Sequence, residues 1–268
     1  MPFFPTSNAD VAEFLSMRAK SALHISGNEH EHANAETLSV ARMNSVSLYE
    51  PEEMIISVQS GILLEELDAV LREKKQWLPM LQPNETHSRT LGGAVATDMY
   101  HPRSRASGML RTAILGGTFA STDGVVFKSG SRVVKSVAGY DIHRAFCGSQ
   151  GLFGVILEIT FKVQPLPEKF YRFLAPLQIR EKILSMHPTC LEELDGKLLV
   201  ELAGFDEDIR EDMKLLSKLN LIELDSDAWS ECVKKVIRAK NNLSKLSPDV
   251  EELLASVRRT FDPEGVLV

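Results

Sequence analysis

The chain has 268 residues, 44% of them hydrophobic and 25% charged, and a formal net charge of -7, the composition of a globular protein long enough for one large folded part and a smaller appendage. No long basic run relieves the acidic balance, which excludes a scaffold that neutralises nucleic-acid phosphates. Three scattered cysteines, Cys147, Cys190 and Cys232, fit neither a disulfide framework nor a zinc or iron–sulfur site, so a reducing cytoplasm is expected.

Ser7 or Asn8 can cap a helix over Asp10 to Lys20, in which Val11, Phe14 and Leu15 share one face. Residues 22–25 and 37–40 read as short strands around a polar segment that contains His30-Glu31-His32. Those two histidines could converge on a metal from alternate positions, but a polar loop explains them without a ligand, and no metal is expected. Residues 46–49 and 54–58 form an antiparallel pair, and Leu63, Leu64, Leu67, Val70 and Leu71 trace the helix after it. Strands are expected over 111–120 and 125–128, with a turn at Asp123-Gly124, and over 155–163, where Pro165 and Pro167 stop the ladder.

Those prolines mark a boundary, giving parts 1–168 and 169–268. The second part reads as strand, helix 179–186, strand near Leu191, strand 197–203, helix 207–218 and strand 221–224, the order of a small ferredoxin-like cap. Helices over 228–239 and 248–260 follow, the latter opened by Ser247-Pro248. No segment is apolar enough to span a bilayer, and the first residues lack a secretory pattern. Any membrane contact is therefore expected to be peripheral, at the inner membrane and through partners.

The informative stretches are rich in glycine. Thr90-Leu91-Gly92-Gly93-Ala94-Val95-Ala96-Thr97-Asp98 is followed by Gly108-x-x-Arg111, Leu115-Gly116-Gly117, Asp123-Gly124, Ser129-Gly130, Val134-Lys135-Ser136-Val137-Ala138-Gly139-Tyr140-Asp141 and Cys147-Gly148-Ser149-Gln150-Gly151-Leu152-Phe153-Gly154-Val155. Glycine lets backbone approach a ligand closely, and N–H groups at a helix start can face a phosphate. In order and spacing these segments resemble the FAD-linked oxidases of the vanillyl-alcohol-oxidase and p-cresol-methylhydroxylase type. Phe261-Asp262-Pro263-Glu264-Gly265 is similar to the family's terminal motif. Within the family the chain looks most like the smaller flavin-binding subunits of bacterial glycolate oxidases. The resemblance covers residues 37–168 and the C-terminal tail.

The resemblance implies an α+β FAD-binding fold of two subdomains with the cap behind them, and FAD as cofactor. The implied cofactor contacts are Gly27, Pro83, Thr90, Leu91, Gly92, Gly93, Ala96, Thr97, Gly108, Arg111, Lys135, Gly139, Tyr140, Asp141, Gly148, Ser149, Gly151, Gly154 and Val155. Arg111 and Lys135 could meet flavin phosphate or substrate carboxylate, or stand as solvated charges; Asp141 could equally cap the helix that begins there. Cys147 could form a covalent flavin link, although a small buried thiol is the commoner outcome.

The first phosphate loop departs from the family's Arg-Gly-Gly-Gly-Thr: here it reads His24-Ile25-Ser26-Gly27-Asn28-Glu29-His30, and only Gly27 matches. Glu29 and Glu31 would place negative charge near a diphosphate. The family's histidine-rich acid–base segment has no counterpart in the C-terminal half, where His187 stands alone, so no catalytic residue can be named. The implied function is oxidation of a 2-hydroxy acid such as glycolate to the 2-oxo acid, in a complex with a larger homologous flavin subunit and an iron–sulfur subunit. Two alternatives remain open at this point: a flavin-free structural or regulatory paralogue, and a self-sufficient FAD-dependent hydroxy-acid dehydrogenase.

Overall fold

The computed structural model describes all residues except 19–20, 29–30, 83–88, 99, 132–140, 218, 243–255, 257, 260–261 and 263–264. The first lobe is built on helix α1 (Asn8–Met17) and the parallel strands β1 (Leu23–Ser26) and β2 (Glu36–Ser39). The helix starts two residues earlier than expected because Ser7 and Asp10 form a reciprocal capping box: the Asp10 N–H donates to Ser7 Oγ at 3.2 Å, and the Ser7 N–H donates to Asp10 Oδ2 at 3.0 Å. Such a cap contributes about 1 kcal/mol. Val11 and Leu15 then meet Leu23 and Leu38 in a core that also takes in Leu267 from the C-terminal tail.

That tail is fastened by Asp262, only 2% exposed, whose carboxylate accepts the N–H groups of Val266 (2.9 Å) and Leu267 (3.0 Å). Leu267 is thereby set beside Leu23 as a parallel bridge, and Phe3 lies along β2 on the other side. The terminal motif thus has a structural use: it widens the small parallel sheet on which the first loop stands.

The second lobe is a five-stranded antiparallel sheet, in the order β3-β4-β8-β6-β7: β3 is Val46–Glu50, β4 Ile55–Gln59, β6 Ile114–Ala120, β7 Val126–Gly130 and β8 Val155–Lys162. Its inner face packs against α2 (Leu64–Glu73) and α3 (Leu91–Thr97). On α2, Leu64, Leu67 and Leu71 recur at helical spacing and are each at most 2% exposed, worth about 1.5–3 kcal/mol apiece by burial. The Glu66 carboxylate accepts the Leu63 N–H at 3.3 Å and closes the first turn.

Two expectations need correction here. The strand expected over 111–120 begins at Ile114; Leu110–Ala113 is a short helix, because the Thr112 N–H and hydroxyl both turn back to Met109 O (2.9 and 2.6 Å) and Arg111 is held by Asp98. Pro165 does not end all pairing either. Gln164–Pro165 (β9) pairs with Gln76–Trp77 (β5) in a two-residue ladder, where a proline is tolerated at an edge.

The cap follows the expected order. β10 (Lys169–Pro176), a helix at Arg180–Leu184, β11 (Cys190–Leu194), β12 (Lys197–Gly204), a helix at Asp206–Leu216 and β13 (Ile222–Glu223) give the sheet β11-β12-β10-β13, every pair antiparallel. This is the ferredoxin-like arrangement. One sheet face is covered by the two helices; the other takes the long helix Ser226–Asn242, whose Trp229, Val233 and Ile237 are buried against Cys190 and Leu199. This helix is longer than the expected 228–239, and Asp225 accepts the Ala228 N–H at its start (2.8 Å). The helix expected over 248–260 lies mostly outside the described residues.

Candidate functional site

A cleft of about 270 Å³ opens between the two lobes. The loop after β1 supplies Ile25, Ser26 and Gly27; Val40 and Ser60 close the back; α3 brings Gly92, Gly93, Ala96 and Thr97; and Gln150, Gly151, Gly154 and Ile156 form the opposite wall. Pockets that enclose whole ligands run to about 300–1,000 Å³, so this space suits one portion of a dinucleotide. No ionisable side chain among the described residues lines it.

The two walls are joined through the backbone. Near the C-terminal end of α3, Val95 O accepts the Gly148 N–H at 3.0 Å and Ala96 O accepts the Gln150 N–H at 2.8 Å. Gln150 is left-handed (φ 53), a conformation a side chain adopts only when its surroundings hold it there. Gly154, at φ +121, has no room for a side chain: a Cβ would lie 2.3 Å from Ala120 O.

Of the residues implied by the sequence, Gly27, Gly92, Gly93, Ala96, Thr97, Gly151 and Gly154 meet in the cleft. Thr90 stands just behind it as the cap of α3, its Oγ1 accepting the Gly93 N–H at 3.3 Å. The Gly92 N–H goes to Ser60 O at 2.7 Å, so both glycine N–H groups have protein acceptors, and a Cβ on Gly92 would stand 2.9 Å from Ser60 Cβ, so this glycine lets α3 pack closely on Ser60. Ser149 is 4% exposed, and its Oγ is buried with no partner, a state that usually has a specific explanation.

Other implied residues lie away from the cleft. Leu91 is fully buried in the sheet's core, and Val155 packs with Leu23 and Leu157. Gly108 terminates the short helix Ser104–Ser107. Arg111 bonds Asp98 Oδ2 at 3.0 Å and Cys147 O at 3.3 Å, against Gly148. Asp141 stands at the start of the helix Ile142–Phe146 but makes no side-chain cap bond; it is exposed and pairs instead with Arg144 at 3.5 Å. Pro83, Lys135, Gly139 and Tyr140 lie outside the described residues.

The sequence reading missed Ile25, Ser26, Val40, Ser60, Gln150 and Ile156. Ile25, Ser26 and Gln150 adjoin recognised glycines and could have been found by extension. Val40, Ser60 and Ile156 reach the cleft only through tertiary packing.

Burial shifts two titratable groups nearby. Burial, with the Asp98 charge beside it, pushes the Cys147 thiol well above its ordinary range. Burial lowers the pKa of His143, which contacts Ser129 Oγ at 3.2 Å. In the first loop, Ser26 Oγ lies 2.8 Å from Asn28 Oδ1 and accepts the Asn28 N–H at 3.3 Å, so the turn closes on itself. Glu31 is exposed and does not line the cleft, while His32 lies against His24 with ring centroids 5.0 Å apart and planes tilted by 31°.

The chain is similar to known proteins. Residues 2–130 match the family model described as an FAD binding domain, which makes FAD the cofactor of this domain. Glycolate oxidase subunit GlcE of Escherichia coli (strain K12) is 30% identical over 189 residues, 68% of this chain and 54% of that protein. The D-lactate dehydrogenase of Anaerostipes hadrus is 30% identical over 177 residues, 63% of this chain and 37% of that one. The chain therefore spans about half, or less, of the length of these relatives. A solved structure of alkyldihydroxyacetonephosphate synthase shares the fold, with a TM-score of 0.71 at 15% identity over 99% of this chain and 75% of that chain.

Proposed function

We propose that this chain, whose residues 2–130 belong to the FAD binding domain family, is the FAD-binding subunit of a glycolate-oxidase-like complex that oxidises a 2-hydroxy acid to the 2-oxo acid. Its partners in this reading are a larger homologous flavin subunit, where most substrate oxidation takes place, and an iron–sulfur subunit that receives electrons. Similarity to a glycolate oxidase subunit and to a D-lactate dehydrogenase supports the substrate class.

The residues present fit the cofactor. Five glycines, Ala96, Ser26 and Ser60 line much of the cleft, a side chain at Gly151 would project into open space, and the orphaned Ser149 Oγ next to Gln150 has a hydrogen bond to give. Gly27, Gly92, Gly93, Gly151 and Gly154 would let FAD lie close to the backbone. Ile25, Val40 and Ile156 would keep water from one side, and Thr97 and Ser149 would orient polar atoms. Bound FAD supplies a hydride acceptor for the carbon that carries the hydroxyl.

The observation that carries the subunit reading is the 30% identity to a glycolate oxidase subunit over 68% of this chain. Oxidising a 2-hydroxy acid also calls for a base within reach of the hydroxyl proton and a cation for the carboxylate, which the larger subunit supplies in this reading. Co-expression with a larger flavin subunit tests this. Glycolate-dependent dye reduction should need both chains, and full activity of the partner without this chain would contradict it.

A further inference from the structure

We propose that Tyr100 and Arg103 are positioning residues for the FAD cleft, transmitting the placement of the cap sheet to α3. The inference rests on FAD occupying the cleft. Helix α3 gives the cleft four of its lining residues and ends at Asp98, which is left-handed (φ 40, ψ 50) and therefore needs to be held. On one side it is held by Arg111. On the other the chain runs directly to the cap.

Two residues after Asp98, the Tyr100 hydroxyl donates to Glu192 on β11. Glu192 is also paired with Lys240 at 3.6 Å, and the Lys240 ammonium lies 5.5 Å from the Tyr100 ring centroid. Burial and the adjacent Glu192 push the Tyr100 phenol well above its ordinary range, so the hydroxyl keeps its proton and its donor role. Three residues further, Arg103 is 1% exposed and forks onto Glu201 of β12, Nε to Oε1 at 2.6 Å and Nη2 to Oε2 at 2.8 Å. Trp77 and Trp229 flank its guanidinium at 5.5 and 5.7 Å.

Asp98 and Tyr100 are two residues apart in the sequence, a reach of at most about 7 Å, so a shift of β11 carried by Tyr100 is passed to Asp98 and the last turn of α3. That turn accepts the N–H groups of Gly148 and Gln150, and both walls of the cleft therefore follow the cap. By linkage the effect is reciprocal: FAD that requires α3 in place also tightens the seat of the cap.

The test is FAD titration of the apo chain, read by flavin absorbance and fluorescence, for wild type, Tyr100→Phe and Glu192→Gln, with thermal melts of each in the presence and absence of FAD. Both variants should bind FAD at least about fivefold more weakly, the lower end for a coupling between sites, with a smaller FAD-induced rise in Tm and an unchanged far-ultraviolet dichroism spectrum. Arg103→Lys, which keeps the charge and loses the fork, should weaken binding as well. A purely structural role would lower the apo Tm while FAD affinity stays within twofold, and that result would overturn the proposal alone. A wild-type chain that takes up no FAD would sink the cofactor reading together with it.

Discussion

Gly27 in the cleft lining and Thr90 behind it lie so close that a Cβ on Gly27 would stand 2.0 Å from Thr90 Oγ1. This contact sets the distance between the first loop and the start of α3. Replacing Gly27 with alanine must push one of them away, and FAD affinity should fall at least about tenfold, or 1.4 kcal/mol. Thr90→Ala alone loses the helix cap, worth about 1 kcal/mol of stability. In the double variant the clash is gone, so its loss of FAD affinity should be smaller than the sum of the single losses. Equal additivity in a titration series would show that the two residues do not meet.

Glu201 should govern part of the acid sensitivity of the fold. It is fully buried; burial by itself would raise its pKa, but Arg103 and Arg172 outweigh that and hold it below its ordinary value of 4.5. A carboxylate depressed in the folded state contributes stability that is complete above its unfolded pKa and is lost as pH falls through the folded one. Urea melts at neutral pH should show Glu201→Gln destabilised by about 3–5 kcal/mol, because buried Arg103 and partly buried Arg172 lose their counter-charge. Below pH 4.5 the difference between wild type and variant should shrink as wild type acidifies; a difference independent of pH would refute the assignment.

Cys147 should not hold flavin covalently. Its thiol is buried and pushed up by that burial and by Asp98, so the nucleophilic thiolate is disfavoured. Acid precipitation should release all the flavin into the supernatant, and the native thiol should resist alkylation at pH 8. Yellow precipitate from wild type that turns white in Cys147→Ser would prove the opposite.

Asp262 should matter for stability far beyond its place near the end of the chain. Its carboxylate bonds two backbone N–H groups and lies 3.5 Å from Arg258. Asp262→Ala should cost about 3–6 kcal/mol, since its two charged hydrogen bonds are each worth about 1.5–3 kcal/mol. Hydrogen exchange should locate the loss at Leu23 and its neighbours in β1, which pair with the tail.

The glycine-rich segments that line the cleft were legible because they are local. Glycines that turn sharply are visible as residues, whereas Thr90, expected as a cofactor contact, caps α3. The order of elements in the cap could be read from periodicity alone, and it folds in the ferredoxin-like arrangement. The strand expected from Arg111 gives way to a short helix at 110–113, and the bond that holds Arg111 to Asp98 joins positions 13 apart. The pair formed by Arg103 and Glu201 is 98 residues apart, and no local pattern announces either as buried. For Asp141 the position at the helix start was legible, but the choice between capping and pairing with Arg144 depended on side-chain direction.

The most direct test of the central claim is the anaerobic absorbance spectrum of the purified chain before and after addition of glycolate or D-lactate. The account predicts bound FAD that the hydroxy acids leave oxidised in the isolated chain and that dithionite bleaches. Bleaching by a hydroxy acid with no partner present would contradict it and make the chain a self-sufficient dehydrogenase, and colourless protein that remains empty after incubation with FAD would contradict it from the other side.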